Sequence, residues 1–285
     1  MNNLDPRLNP FRNDLAADHL RGQVTSQRFV AGQRRCVFDG AADIRRSPIP
    51  DAPLDTEALH GEIFTVFEDN DEGWSWGQLA RDGYVGYMPS NALVQNIDEP
   101  THRVTVLRTF LYGGPSIKLP PLFSLSMGSR VALKSIQEKF AVTQAGHYVI
   151  ADHLVSIDRF EIDFVAVAER FLGIPYYWGG KTSLGLDCSG LVQVSLDAAG
   201  INVPRDTDLQ EKSIGYEIPV ELDFSELKRG DLIFWKGHVG IMRDADTLLH
   251  ASGHQMLVVS EPLMTTCNRI LASGGGSITS IRRIS

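Results

Sequence analysis

An α+β domain preceded by two small all-β units is the fold class that this sequence predicts. Two observations carry that expectation. In the last part of the chain, a helix-like run headed by Asp187-Cys188-Ser189-Gly190 is followed by a succession of short apolar strands. Ahead of it, residues 31–157 hold short alternating segments separated by Gly and polar turns, in two weakly similar copies.

In the first copy, Gly61-Glu62-Ile63-Phe64-Thr65-Val66 leads to Trp74-Ser75-Trp76-Gly77-Gln78-Leu79, then to Gly83-Tyr84-Val85-Gly86-Tyr87-Met88, and ends at Ala92-Leu93-Val94. In the second, Gly128-Ser129-Arg130-Val131-Ala132-Leu133 leads to Phe140-Ala141-Val142-Thr143, then to Gly146-His147-Tyr148-Val149-Ile150, and ends at His153-Leu154-Val155. Period-2 alternation between such turns reads as strands, so the copies are expected to be small barrels over 31–96 and 101–157. Residues 1–30 are polar and contain proline, which predicts an extended arm or a short helix packed on the rest.

The last part, residues 160–285, carries the chemistry. Gly185 breaks the chain and Asp187 is placed to cap a helix starting at Cys188. Leu191, Val192, Leu196 and Ala199 supply its apolar stripe, and Gly200 stops it. A cysteine in a first turn meets the positive end of the helix dipole, which lowers its pKa and favours thiolate. After the Gly230-Asp231 turn, residues 232–235, 239–242 and 247–251 read as strands, the last two joined through Arg243-Asp244-Ala245-Asp246. A loop centred on Asp244 would pair His238 directly with His250, with Cβ atoms roughly 5 Å apart on one side of the hairpin.

One cysteine followed by two strand-borne histidines suits thiol-nucleophile amide hydrolysis: sulfur attacks, one imidazole takes its proton, and a third polar group orients that imidazole. Two blander readings stand beside it. A lone cysteine on an apolar helix serves as a small core residue. A Cys-His-His set also occurs at zinc sites, although those show tight pairs such as C-x-x-C or H-x-x-x-H, and this chain has neither. Cys36 and Cys267 lack such neighbours.

Composition narrows the partners. The 285 residues suit two or three small domains, and the net charge of −8 argues against nucleic-acid binding through phosphate neutralisation. Three widely spaced cysteines do not read as a disulfide framework. No apolar stretch follows a basic segment within residues 1–30, and no run reaches eighteen apolar residues, so neither a secretory signal nor a membrane partner is expected. A cytoplasmic location is the resulting expectation. No metal and no organic cofactor is implied, and the oligomeric state is left open.

Tyr176-Tyr177-Trp178-Gly179-Gly180, Asp187-Cys188-Ser189-Gly190, Pro204-Arg205, Gly230-Asp231-Leu232-Ile233-Phe234-Trp235 and Gly237-His238-Val239-Gly240-Ile241 together resemble the NlpC/P60 family of papain-like cysteine peptidases. The two copies ahead of them look like bacterial SH3-like barrels. The resemblance implies Cys188 as nucleophile, His238 as base and His250 as the orienting third residue, with Tyr176 close to the nucleophile in an oxyanion or substrate-shaping role. The backbone N–H of Cys188 at the helix start is a second oxyanion donor.

Two SH3-like domains before such a domain further resemble the γ-D-glutamyl-L-diamino acid dipeptidyl peptidases of murein recycling. That likeness implies a murein-derived peptide substrate with a free N-terminal L-alanine, cleaved to release L-Ala-γ-D-Glu. It also implies that Asp187 and Ser189 lie near the substrate amine, with Tyr84 of the first barrel as a further contact. A carboxylate among Asp51, Asp55, Glu57 and Glu62 would join them. Arg205 would meet the α-carboxylate of the D-glutamyl residue or pin a loop. The alternatives are an exported wall endopeptidase, a non-catalytic cell-wall binding protein, and a Cys-His acyltransferase on the same fold.

Overall fold

The structure is a computed structural model that describes residues 4–219, 224 and 226–284. It divides into two compact units, Met1–Arg159 and Phe160–Ser285.

The first unit is almost wholly β. Its larger sheet has seven strands, in the order Leu54–Leu59, Ala41–Arg45, Val85–Pro89, Trp74–Leu79, Ile63–Asp69, Gln33–Val37, Leu93–Val94. Alternation explains the core: Ile44, Phe64, Leu79 and Met88 point inward and are fully buried. Residues 102–156 form a three-stranded and a five-stranded sheet around Val104, Leu111, Leu125, Ala141 and Val149. The N-terminal arm is expected over 1–30, of which 1–3 lie outside the described residues. It packs on the larger sheet. Leu15–Ala17 is buried and pairs in parallel with Arg28–Val30, Val85 N donates to Arg7 O, and the Arg12 guanidinium stacks 4.3 Å over the Trp76 ring.

The second unit is α+β. Its sheet runs β1 (Tyr216–Ile218), β6 (Ser280–Arg283), β2 (Leu232–Trp235), β3 (His238–Met242), β4 (Thr247–Ser252), β5 (Leu257–Pro262), every neighbour antiparallel. Among the described residues four helices accompany it: α1 (Phe164–Glu169), α2 (Cys188–Ala198), α3 (Thr207–Ser213) and α4 (Leu263–Ala272). The central strands β2, β3 and β4 are buried on both faces, so they are apolar runs with little alternation. Helix α2 lies against β3 and β4. Leu263 and Ile270 of α4 pack on Ile233, Trp235, Met242 and Leu248. Burying Leu191, Val192 and Leu196 of α2 stabilises the domain by roughly 1.5–3 kcal/mol each.

The predicted helix is present with its expected cap: Asp187 Oδ1 accepts from Gly190 N at 2.7 Å. Gly190 is required for a second reason, because a Cβ there would stand 2.3 Å from the Gly180 carbonyl oxygen. The expected β3–β4 register needs correcting. Ile241 pairs with Leu249 and Met242 with Leu248, which centres the loop on Ala245 rather than Asp244. Asp244 Oδ1 accepts from Asp246 N and Thr247 N at 2.9 and 2.8 Å, and Arg243 N closes the turn on Thr247 O. Continued, that register sets His250 opposite Gly240, and His238 one diagonal step away on the same side.

Candidate active site

Cys188 opens α2 and is buried; its sulfur lies 3.9 Å from Thr207 Oγ1, at the start of α3. The sulfur also accepts from the Val239 backbone N–H, which sets it beside the His238-Val239 peptide. Diagonal neighbours in a sheet remain within reach of long or ring-bearing side chains, and the imidazoles meet: His238 Nε2 and His250 Nδ1 are 2.8 Å apart. Their rings meet edge to face at 5.0 Å. The structure thus brings His238 and His250 into contact and sets Cys188 beside the Val239 backbone.

The electrostatics reverse one expectation. Burial, followed by the charge of Asp187, pushes the Cys188 thiol up to about 11, outweighing hydrogen bonds from Val239 and Thr207 and the charge of Arg205. A helix N-terminus is worth about 0.3–1 kcal/mol, less than the roughly 1.4 kcal/mol that one pH unit represents, so desolvation wins. Burial, then His250 and Arg269, push His238 down to about 3. Burial thus favours the uncharged form of both the thiol and the imidazole.

Tyr176 is half-buried, and burial together with the charges of Cys188 and Asp187 raises its phenol above the ordinary value. It stays a hydrogen-bond donor. Asp187 is more heavily committed than the sequence suggests. It accepts from Gly190 N and Ser189 Oγ on Oδ1, and from Gly179 N and Arg205 Nη2 on Oδ2. Four donors fill the lone-pair directions of a carboxylate. Arg205 is only 1 % exposed and donates as well to Ser189 Oγ at 2.8 Å and Gly180 O at 3.2 Å. Of the two roles open to Arg205, the geometry provides for pinning the loop.

Tyr84 belongs to the first unit, buried in the core cluster with Phe64, Leu79 and Met88. Asp55 pairs with Arg46, and Glu62 accepts from Leu59 N at 2.8 Å and faces Arg81 at 3.4 Å. Among the described residues, no group of three or more His, Cys, Asp or Glu is arranged to hold a metal ion.

Sequence reasoning missed Thr207 and everything behind His250. His250 Nε2 is 2.9 Å from Glu261 Oε1, which Thr266 Oγ1 reaches at 3.0 Å; Arg269 Nη1 reaches Glu261 Oε2 at 2.9 Å. A cavity of about 520 Å³ borders both imidazoles and is lined by Lys236, His254 and Arg269, with no carboxylate among its lining residues.

Comparison with known proteins places these features in context. Residues 173–269 match the NlpC/P60 family, and residues 44–93 match the bacterial dipeptidyl-peptidase SH3 domain. The chain is 28% identical to a γ-D-glutamyl-L-lysine dipeptidyl-peptidase of Bacillus cereus, over 74% of this chain and 71% of that protein. It is 30% identical to the murein DD-endopeptidase MepS/murein LD-carboxypeptidase of Escherichia coli, over 54% of this chain and 86% of that protein. A crystal structure of an NlpC/P60 family protein from Bacillus cereus superposes with a TM-score of 0.73 at 23% identity, covering 88% of this chain and 99% of that one.

Proposed function

The chain belongs to the NlpC/P60 family, and from that premise we propose that it is a cysteine peptidase cutting the γ-D-glutamyl–L-diamino acid bond of murein peptides with a free N-terminal L-alanine. The product is L-Ala-γ-D-Glu. The observation that carries the reading is the contact chain from Cys188 through the His238-Val239 peptide to His250. The names of its relatives as dipeptidyl-peptidases support the substrate. The reading takes 1–30 as an arm, 31–96 and 101–157 as SH3-like barrels, and 160–285 as the peptidase domain.

His238 Nε2 is committed to His250, so Nδ1 is the nitrogen left to take the thiol proton. The sulfur bonds to the γ-carbonyl carbon while that proton passes to His238. The developing oxyanion is met by the Cys188 backbone N–H, one of the first-turn donors with no intrahelical partner, and by the Tyr176 phenol. Collapse returns the proton from His238 to the departing amine and leaves a dipeptidyl thioester on Cys188. Water, deprotonated by His238, then releases L-Ala-γ-D-Glu. Because the leaving amine receives its proton from His238, the diamino acid lies on the imidazole side, where the cavity's Lys236 and His254 suit its carboxylates.

Such a product fits recycling of wall fragments inside the cell. The test is incubation with L-Ala-γ-D-Glu-diaminopimelate and its N-acetyl form, followed by mass spectrometry. Release of L-Ala-γ-D-Glu from the free-amine peptide alone supports the reading. Equal cleavage of both makes the protein an open-cleft wall endopeptidase, and cleavage of neither makes it a binding protein.

A further inference from the structure

The carboxylate of Glu261 lies directly behind the two histidines and has no role in the steps above. Glu261 comes from β5, where it pairs with Leu248, while His250 of β4 pairs with Val259. Two diagonal steps across three adjacent strands therefore align His238, His250 and Glu261 on one side of the sheet. The carboxylate is also fixed from behind. Thr266 and Arg269, three residues apart on α4, both turn to it, and Gln255 Nε2 reaches it at 3.1 Å. Those bonds, with His250 the largest influence, hold Glu261 well below the usual carboxylate range. An ionised carboxylate accepts and cannot donate.

We propose that Glu261, held by Arg269, is a positioning residue that selects the working tautomer of both histidines. The inference rests on the peptidase reading above. With an acceptor-only group at 2.9 Å, the neutral form of His250 carries its one hydrogen on Nε2, so its Nδ1 is bare. A bare Nδ1 at 2.8 Å requires a hydrogen on His238 Nε2, which leaves His238 Nδ1 as the free lone pair. That is the form able to take the Cys188 proton. The opposite tautomer of His250 would aim a lone pair at the carboxylate and put a hydrogen on the nitrogen meant to act as base. Once His238 is protonated, the negative charge two contacts away stabilises the imidazolium.

The groups acting on His238 are the Trp235 ring of β2, His250, Glu261 and Arg269, and the Cys188 thiol of α2 lies beside the next residue's backbone N–H. Among the charged ones, Glu261 raises its proton affinity and Arg269 lowers it. Glu261→Gln preserves shape and removes the charge. Its kcat on the free-amine tripeptide is expected to fall by about 10- to 100-fold, less than the roughly 10⁴-fold seen when a triad carboxylate touching the base is neutralised. KM should stay within about twofold, and the acid limb of kcat/KM should move to lower pH. Glu261→Asp should restore the position of that limb. A merely structural role would shift the melting temperature and leave the pH profile in place.

Wild-type kcat, or an unmoved acid limb, in Glu261→Gln overturns the inference. A wild-type protein that does not cleave the peptide overturns the peptidase reading instead. The tautomers are then read directly by ¹⁵N NMR of histidine-labelled wild-type protein. Hydrogen on His250 Nε2 with a bare Nδ1 supports the relay, and hydrogen on Nδ1 refutes it.

Discussion

Replacing Arg205 with methionine separates the two roles open to this residue. Arg205 is 1 % exposed and the side chain of its partner Asp187 is 11 % exposed, with 2.8 Å between them. Breaking a buried ion pair from one side costs about 3–5 kcal/mol, because the remaining charge stays desolvated. Asp187 would keep Gly179 N, Gly190 N and Ser189 Oγ, which holds the cost near the lower end. For a domain of this size, about 3 kcal/mol lowers the melting temperature by roughly 10 °C. The assay is a thermal melt by circular dichroism of wild type, Arg205→Met, Asp187→Asn and the double variant. The double variant should recover part of the loss, since no uncompensated charge then remains. Arg205→Met melting within about 3 °C of wild type while KM rises tenfold or more would refute the argument. It would return Arg205 to the substrate's α-carboxylate.

Three further outcomes are expected. His238 must be neutral to accept the thiol proton, and burial with His250 and Arg269 depresses its pKa to about 3. The acid limb of kcat/KM therefore lies below the ordinary imidazole value of about 6.5; a limb at or above that pH contradicts the buried base. Tyr84→Ala should destabilise the first unit by about 3–5 kcal/mol as a core truncation, whereas Tyr84→Phe should weaken the selection against N-acetylated substrate while leaving cleavage of the free-amine peptide in place. Unchanged selection in Tyr84→Phe would remove the phenol from the substrate site. Lys236→Glu should lower kcat/KM for the diaminopimelate peptide more than for its lysine counterpart, which lacks the second carboxylate; equal loss on both would remove the cavity from the leaving-group site.

The helix headed by Cys188 was legible because its signals are local. Gly185, the Asp187 cap, the apolar stripe and Gly200 lie within one stretch of chain and act on it directly. The strands at 232–235 and 239–242 were equally plain, the second beginning one residue earlier at His238, since both faces are buried and the apolar runs are continuous. Parity of the two histidines was also readable, but their register was not. Asp244 spends its carboxylate on two turn amides and moves the loop centre to Ala245, a choice between neighbouring turn geometries that strand composition leaves open. Glu261 was beyond reach because its place depends on that register, on the register of the next hairpin and on the face α4 presents. For Arg205 the sequence left two roles open. A fully buried arginine is rare unless paired, and nothing in Pro204-Arg205-Asp206 identifies Asp187 as its partner. The thiol expectation erred on magnitude: the dipole was visible in the sequence, the depth of burial was not.

The central claim is that Cys188 carries the peptide as a thioester. The direct measurement is rapid acid quench of enzyme with the free-amine tripeptide, then digestion and mass spectrometry of the three cysteine-containing regions. The account expects the mass of the L-Ala-γ-D-Glu acyl group on the peptide holding Cys188, absent from those holding Cys36 and Cys267, and appearing before steady-state turnover. Product release with an unmodified Cys188 at every quench time, or acylation of either other cysteine, would contradict it.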